Sequence, residues 1–157
     1  MIHLQRLSID DWEYVLQLEV MASSPLYFAY DTKEQIEEYF RLSTIYAVCL
    51  DTIRIGSVSY LLEDDDTAEI GGLIIEANYR GHGYGGKAVK ELIALLPHIR
   101  RFYLLTHPKN SAAVISYLEI GFEIAGWKDN PFNDGQPRIQ LEFIHDQKSF
   151  LHDEHQK

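Results

Sequence analysis

The chain has 157 residues, with 24 acidic and 14 basic side chains and a formal net charge of −10. This length suits about one domain, and its 46% hydrophobic residues exclude an intrinsically disordered chain. The acidic balance argues against a nucleic-acid-binding protein, which would need Lys and Arg to neutralise phosphates. It favours solubility and, as a secondary hint, the attraction of a cationic ligand.

Targeting and metal signals are missing from the sequence. No run approaches the ~18 apolar residues that cross a bilayer, and the first residues lack the basic and apolar regions of a signal peptide. Cys49 is alone, so neither an internal disulfide nor a cysteine-built metal site can form. The seven histidines show no ligand spacing, and we predict no metal. We expect a cytoplasmic protein that binds neither nucleic acid nor membrane.

The first half of the chain predicts helices and then mainly strands. Residues 8–11 and 32–35 carry helix-opening patterns, the second with capping-box spacing. Gly71-Gly72 interrupts an apolar strand, which indicates a bulge or the close approach of another backbone or a ligand. The predicted elements are a strand at residues 3–7, helices beginning near Ser8 and Thr32, and strands at residues 46–50, 53–62 and 68–76.

The second half alternates helix and strand, with a helix at residues 83–96, a strand at 101–106, a helix from Asn110 or Ser111 to Gly121, and strands at 122–127 and 138–144. This order predicts an α/β (α+β) fold in one domain at residues 1–145. Its sheet is mixed and mostly antiparallel, with six or seven strands and about four helices on both faces. We expect residues 146–157 to form a polar tail that frays.

A glycine-rich turn at residues 79–88 lies between a predicted strand and a predicted helix, where exposed N–H groups bind phosphate. Three patterns overlap in it. The P-loop pattern fails at Ala88, which lacks the hydroxyl that binds magnesium. The dinucleotide fingerprint needs an acid about 20 residues further on, where the chain has His107 and Pro108. The third pattern, R-x-x-G-x-G, is matched by Arg80, Gly83 and Gly85.

With this third pattern the chain resembles the GNAT superfamily of acetyl-CoA-dependent N-acyltransferases. Two further features recur there: the apolar strand AEIGGLIIE before the turn, and Glu69 eleven residues before Arg80. The family's N-x-x-A-x-x-x-Y-x-x-x-G-F block is matched by Asn110, Ala113, Tyr117, Gly121 and Phe122. The resemblance covers residues 68–126 closely, and it implies a sheet that is splayed in the middle.

The resemblance also implies an acetyl-CoA site. The pyrophosphate would lie on the N–H groups of the turn, and the pantetheine amides would pair with the strand before it. Arg80 has an alternative role as a surface residue paired with Glu76. The implied cofactor-binding residues are Leu73, Ile74, Ile75, Arg80, Gly81, His82, Gly83, Tyr84, Gly85, Gly86, Asn110 and Tyr117.

Transfer to an amine needs a base that takes up a proton. Glu69 is the candidate, acting through a water molecule, because strand alternation is expected to place it on one face with Gly71, Leu73 and Ile75. The alternative is a half-buried structural glutamate. His107, at the end of the next strand, is the second candidate, because imidazole titrates near neutral pH.

Tyr117 is the candidate general acid for the departing thiolate. It lies two helical turns after Asn110 on nearly the same face, although a tyrosine at the rim of the core fits that position too. A backbone N–H near Leu73 would meet the carbonyl oxygen. Cys49 has no neighbouring base and is expected to be a small buried residue rather than a nucleophile.

We therefore expect direct transfer of an acetyl group from acetyl-CoA to a primary amine in a ternary complex. The alternative is an inactive acyl-CoA-binding sensor or interaction module. We expect a small-molecule or peptide amine as the acceptor, and a cationic one fits the charge; the sequence leaves its identity open. We expect the loops at residues 63–66 and 129–137 to shape its site, and a homodimer contact near Trp127 and Phe132 fits exposed apolar residues.

Overall fold

The computed structural model describes residues 1–145, in which seven strands form one sheet and four α-helices cover it. The predicted tail at residues 146–157 lies outside the described residues. The strands are β1 (Ile2–Arg6), β2 (Thr44–Leu50), β3 (Ile53–Leu62), β4 (Thr67–Ile75), β5 (Arg101–Thr106), β6 (Glu123–Lys128) and β7 (Arg138–Ile144). The helices are α1 (Trp12–Ala22), α2 (Lys33–Leu42), α3 (Tyr84–Leu95) and α4 (Ser111–Ile120). The predicted fold class is confirmed.

Local capping explains where two of the helices begin. At α2, the Thr32 side chain accepts a hydrogen bond from the backbone of Gln35, and the Gln35 side chain accepts one from the backbone of Thr32. At α4, the Asn110 Oδ1 atom accepts from the backbone N–H of Ala113 at 3.4 Å. The predicted cluster at residues 8–11 instead forms a short 3₁₀ turn, and α1 begins after it.

The sheet opens in the middle, as the resemblance implies. The strand order is β1-β2-β3-β4-β5-β7-β6, and β4 and β5 are the parallel neighbours. Their pairing is restricted to Thr67–Glu69 against Arg101–Tyr103, although β4 runs on to Ile75 and β5 to Thr106. Beyond Glu69 the two strands therefore diverge and leave backbone groups of β4 outside the β4–β5 ladder.

A bulge in β4 reverses part of the predicted strand alternation. Ser57 pairs with Ile74 and Ser59 with Gly71, so β4 carries one more residue than β3 between these pairs. Leu73 and Ile75 consequently pack on the same core as Ile70, on the α3 side of the sheet. The expectation that Glu69 shares a face with Leu73 and Ile75 is wrong, because the extra residue shifts the alternation by one position.

Two apolar cores lie on the two faces of the sheet. On one face, the predicted stripe of α3 packs against β1 and β4 in a core with Val89, Leu92 and Phe102 at its centre. On the other face, α1 and α2 pack on β2 through Val15, Ile36 and other apolar side chains. None of the helices within residues 1–145 has the length and apolar character to cross a membrane.

Gly72 is the residue on which the bulge depends. Its φ of +57° is strained for other residues, and an added Cβ would lie 2.2 Å from the Tyr39 hydroxyl. We expect Gly72→Ala to lower the free energy of unfolding by about 2–4 kcal/mol, from left-handed strain and from disturbance of a buried hydrogen bond. Urea denaturation measures this. Gly71→Ala is the control, because its Cβ would meet only the Ser59 Oγ atom at 3.5 Å. Equal losses in the two variants would contradict this assignment.

Candidate active site

A cavity of about 430 Å³ opens where β4 and β5 diverge. Because it passes through the gap between the strands, side chains from both faces of the sheet reach it. Four of the predicted site residues line it together, namely Glu69, Leu73, Asn110 and Tyr117. His107 and the predicted loop at residues 63–66 are not part of its lining.

Glu69 lies half-buried beside β5, at the last point where the two parallel strands pair. The Tyr103 hydroxyl donates a hydrogen bond to the Oε2 atom of Glu69 at 3.3 Å and shares this hydrogen bond with the carboxyl group of Glu63. Burial raises the pKa of Glu69; the Tyr103 hydrogen bond opposes this, and the negative charge of Glu63 adds to it. A carboxyl group with a raised pKa at the edge of a cavity is suited to proton transfer.

Tyr117 is buried and lines the cavity. The residue is 7% exposed, and its ring packs 5.5 Å from that of Phe122. Within residues 1–145 no side chain or backbone group forms a hydrogen bond with its hydroxyl. Burial raises the pKa of Tyr117, so the phenol keeps its proton at neutral pH and can act as a donor.

His107 has both ring nitrogens engaged. Its Nδ1 atom accepts a hydrogen bond from the backbone N–H of Lys109 at 3.0 Å. The proton therefore lies on Nε2, which donates to the Gln136 Oε1 atom at 2.8 Å. The residue is 2% exposed. These contacts leave no ring nitrogen of His107 free for a substrate proton.

The glycine-rich turn presents backbone N–H groups at the start of α3. Gly81 and Gly83 have φ angles of +84° and +77°, which glycine adopts without strain. Gly83 is the N-cap of α3. This helix has no side chain that caps its N-terminus and no acidic residue in its first turn. The first N–H groups of a helix have no partners within it. They are therefore available here to an anion.

Arg80 secures the turn to the strand before it. Its Nε atom donates to the carbonyl oxygen of Ile75 at 2.8 Å. The alternative pairing with Glu76 is not found among the ion pairs of residues 1–145; Glu76 instead accepts a hydrogen bond from the Tyr14 hydroxyl at 3.2 Å. The rings of His82 and Tyr84 lie 5.4 Å apart beside the turn.

The sequence interpretation missed the wall of the cavity that α1 and the α1–α2 loop provide. Glu19 of α1 is 2% exposed, and its Oε2 atom accepts from the Tyr27 hydroxyl at 2.6 Å. Burial raises its pKa to about 7, although the Tyr27 hydrogen bond acts in the opposite direction. A usable signal was present, because Glu19 lies four residues after the buried Val15, on the apolar stripe of the helix.

The loop at residues 129–137, which we expected to shape the acceptor site, contributes Phe132 to the lining of the cavity. Phe132 lines it and stacks on Phe28 of the α1–α2 loop, with ring centroids 5.9 Å apart. Arg138 is buried and forms a salt bridge with Asp134 at 2.8 Å. Its guanidinium group stacks on the Phe132 ring. Phe132 is thus half-buried in the cavity wall rather than exposed for a dimer contact, whereas Trp127 is 55% exposed.

Two other chemistries find no support in these residues. Cys49 is buried, and burial raises the pKa of its thiol, which disfavours a nucleophilic thiolate. In the part of the chain that the structure describes, His, Cys, Asp and Glu form no group of three that could hold a metal ion.

The raised pKa of Glu19 predicts a pH-dependent effect on stability. The pKa of Glu19 rises from 4.5 in the unfolded chain to about 7 in the folded protein. The stability that the protonated side chain contributes is therefore lost as the pH rises from 4.5 to about 7. We expect Glu19→Gln to stabilise the protein by up to about 3 kcal/mol at pH 8 and by much less at pH 5. Urea denaturation at both pH values measures this. Glu13→Gln, on the exposed face of the same helix, is the control, and an equal effect of the two variants would refute the prediction.

Comparisons with known proteins agree with this geometry. The model of the Acetyltransferase (GNAT) family matches residues 9–122. Among curated protein sequences, none matches the chain. A GNAT family acetyltransferase from Elizabethkingia anophelis with acetyl-CoA bound has a TM-score of 0.75 and 19% identity, over 92% of this chain and 98% of that one.

Two further solved structures are similar. Aminoglycoside acetyltransferase AAC(6')-Ib in complex with coenzyme A and kanamycin has a TM-score of 0.76 and 21% identity, over 92% of this chain and 95% of that one. The ribosomal L7/L12 alpha-N-protein acetyltransferase RimL in complex with coenzyme A has a TM-score of 0.77 and 15% identity, over 92% and 94%. At these identities the structures show the fold, and the family match covers most of the chain. The chain belongs to the acetyltransferase (GNAT) family.

Proposed function

We propose that this protein is an N-acetyltransferase that moves an acetyl group from acetyl-CoA to a primary amine by direct transfer in a ternary complex. The observation that carries the proposal is the cavity at the opening between β4 and β5. There a half-buried carboxyl group, Glu69, and a buried phenol, Tyr117, line one space beside the unpaired side of β4. Family membership and the two structural neighbours with coenzyme A support it.

The turn and β4 fit the two ends of a coenzyme A molecule. The N–H groups of Tyr84, Gly85 and Gly86 begin α3 without a side-chain cap and would hold the pyrophosphate. The diverging part of β4, residues 73–75, would pair with the pantetheine amides. When bound, acetyl-CoA supplies the activated acetyl thioester, and we assign the backbone N–H of Leu73 to its carbonyl oxygen.

Glu69 and Tyr117 have complementary roles in this proposal. Glu69 accepts a proton from the ammonium form of the acceptor, either directly or through water, and passes it to solvent. The amine nitrogen then forms a bond to the carbonyl carbon as the carbon–sulfur bond breaks. Tyr117 donates its proton to the departing sulfur and recovers one from the amine nitrogen. Overall, an ammonium acceptor loses two protons, one to the thiol and one to solvent.

The acceptor class follows from the charge of the cavity and from the neighbours. AAC(6')-Ib is an aminoglycoside acetyltransferase and RimL acts on a protein alpha-amino group, so both names point to amines. The carboxyl groups of Glu19 and Glu69 line the cavity here. An inactive module that only binds acyl-CoA is the alternative, and the presence of Glu69 and Tyr117 in one cavity favours the enzyme.

Thermal stability with a panel of ligands tests the coenzyme part of the proposal. We expect acetyl-CoA and CoA to raise the Tm, because a ligand held by the native state at 100 times its Kd adds about 2.7 kcal/mol of stability. ATP and NADH at the same concentrations should have little effect. Stabilisation by ATP or NADH, with none by either form of CoA, would contradict the assignment. Release of thiol from acetyl-CoA on addition of an amine separates the enzyme from the inactive module.

A further inference from the structure

A second carboxyl group, contributed by α1, lines the cavity. Glu19 is 2% exposed and lines the cavity from α1. Its Oε2 atom accepts a hydrogen bond from the Tyr27 hydroxyl. No Lys, Arg or His of residues 1–145 forms an ion pair with Glu19. Arg138, which also lines the cavity, is paired with Asp134 instead. Buried carboxylates are costly without a cationic partner, so this position favours the binding of a cation.

Aromatic rings line the same cavity as the two carboxyl groups. Tyr30 lines the cavity together with Glu19 and Glu69, and burial and then the negative charges of these two carboxyl groups raise the pKa of its hydroxyl. Its ring packs 5.1 Å from that of Tyr39. Phe28 and Phe132 close the same side of the cavity. Aromatic faces attract ammonium groups and also pack against a methylene chain.

We propose that Glu19 binds a second ammonium group of the acceptor, so that the preferred acceptors are dicationic amines whose two nitrogens are joined by an apolar chain. This inference rests on the proposed function. The reacting nitrogen lies at Glu69 beside the opening between β4 and β5, the distal ammonium lies at Glu19, and the chain runs along the aromatic wall. A cavity of about 430 Å³ has the size of a small-molecule site.

The proposal predicts a definite order among matched acceptors. Diaminopentane carries both ammonium groups, and pentylamine has the same chain with only one. Aminopentanol replaces the distal ammonium by a neutral hydroxyl. Because a hydrogen bond between charged groups contributes about 1.5–3 kcal/mol, the kcat/KM for diaminopentane should exceed that for the other two by roughly 10- to 150-fold.

Glu19→Gln tests the residue itself. The amide keeps the shape of the side chain and an oxygen for the Tyr27 hydroxyl, but removes the charge. The ratio of kcat/KM for diaminopentane to that for pentylamine should fall close to one in this variant. Glu13→Gln removes the same charge from the exposed face of α1 and should leave the ratio as it is in the wild type. A wild-type ratio near one, or a ratio that persists in Glu19→Gln, would overturn the proposal.

A binding measurement separates this inference from the proposed function. Calorimetric titration of diaminopentane into the CoA-loaded protein needs no turnover, and Glu19→Gln should weaken the affinity by roughly 10-fold or more. If no amine releases thiol from acetyl-CoA but this loss is seen, the proposed function fails and the Glu19 site stands. If amines are acetylated and the affinity is equal in both proteins, the Glu19 site fails and the proposed function stands.

Discussion

Tyr117→Phe should lower the turnover of acetyl transfer by about 10²- to 10⁴-fold, the usual effect of losing a positioned acid. The phenyl ring keeps its packing on Phe122, so the affinity for CoA and the Tm should change little. An interaction formed only in the transition state lowers kcat and kcat/KM together. Thiol-release kinetics combined with calorimetric titration of CoA measures both properties.

Tyr46→Phe is the matched control, because Tyr46 packs against Tyr60 on another part of the sheet and does not line the cavity. It should turn over like the wild type. Unchanged turnover in Tyr117→Phe would remove the residue from the mechanism and leave solvent as the proton donor. Loss of CoA binding in that variant would show that the hydroxyl has a structural role.

Glu69→Gln should lower kcat/KM by about 10²- to 10⁴-fold, because the amide cannot accept the proton of the acceptor. In the wild type, kcat/KM should rise with pH as Glu69 ionises. Since burial raises the pKa of Glu69 above 4.5, the midpoint of this limb should lie above pH 4.5. The variant should lose the limb, and pH–rate profiles from thiol release measure the difference.

Glu63→Gln provides a second control for this assignment. The charge of Glu63 contributes to the raised pKa of Glu69, so its removal should move the acidic limb to lower pH while most of the turnover at pH 8 remains. An acidic limb that survives unchanged in Glu69→Gln would show that another group is the base.

Elements that depend on local patterns were predictable from the sequence. The bounds of β5 and β7 agree with the prediction, and the capping residues Thr32 and Asn110 lie where their side chains indicated. In these segments, hydrophobic periodicity and capping chemistry act over a few residues. The glycine-rich turn could be predicted equally well, because its positive φ angles and the uncapped start of α3 depend on a short run of consecutive residues.

Features that depend on contacts between distant segments were not predictable. Gly71-Gly72 indicated a bulge, but the register between β3 and β4 decides which residues change face. As a result Leu73 lies on the α3 face of the sheet and not on the face expected for Glu69. Glu19 reaches the cavity only because α1 packs across the opening of the sheet, and a glutamate on an apolar stripe does not reveal its partner. Phe132 is half-buried because it meets Phe28 from a remote loop.

The central claim is direct acetyl transfer within a ternary complex at the cavity between β4 and β5. Initial rates of thiol release, with acetyl-CoA varied at several fixed concentrations of an amine selected by a thiol-release screen, test it most directly. We predict that release depends on the amine and that the double-reciprocal lines intersect. Parallel lines are typical of a covalent acyl-enzyme with ping-pong kinetics. Such lines, or thiol release that is the same with and without the amine, would contradict the account.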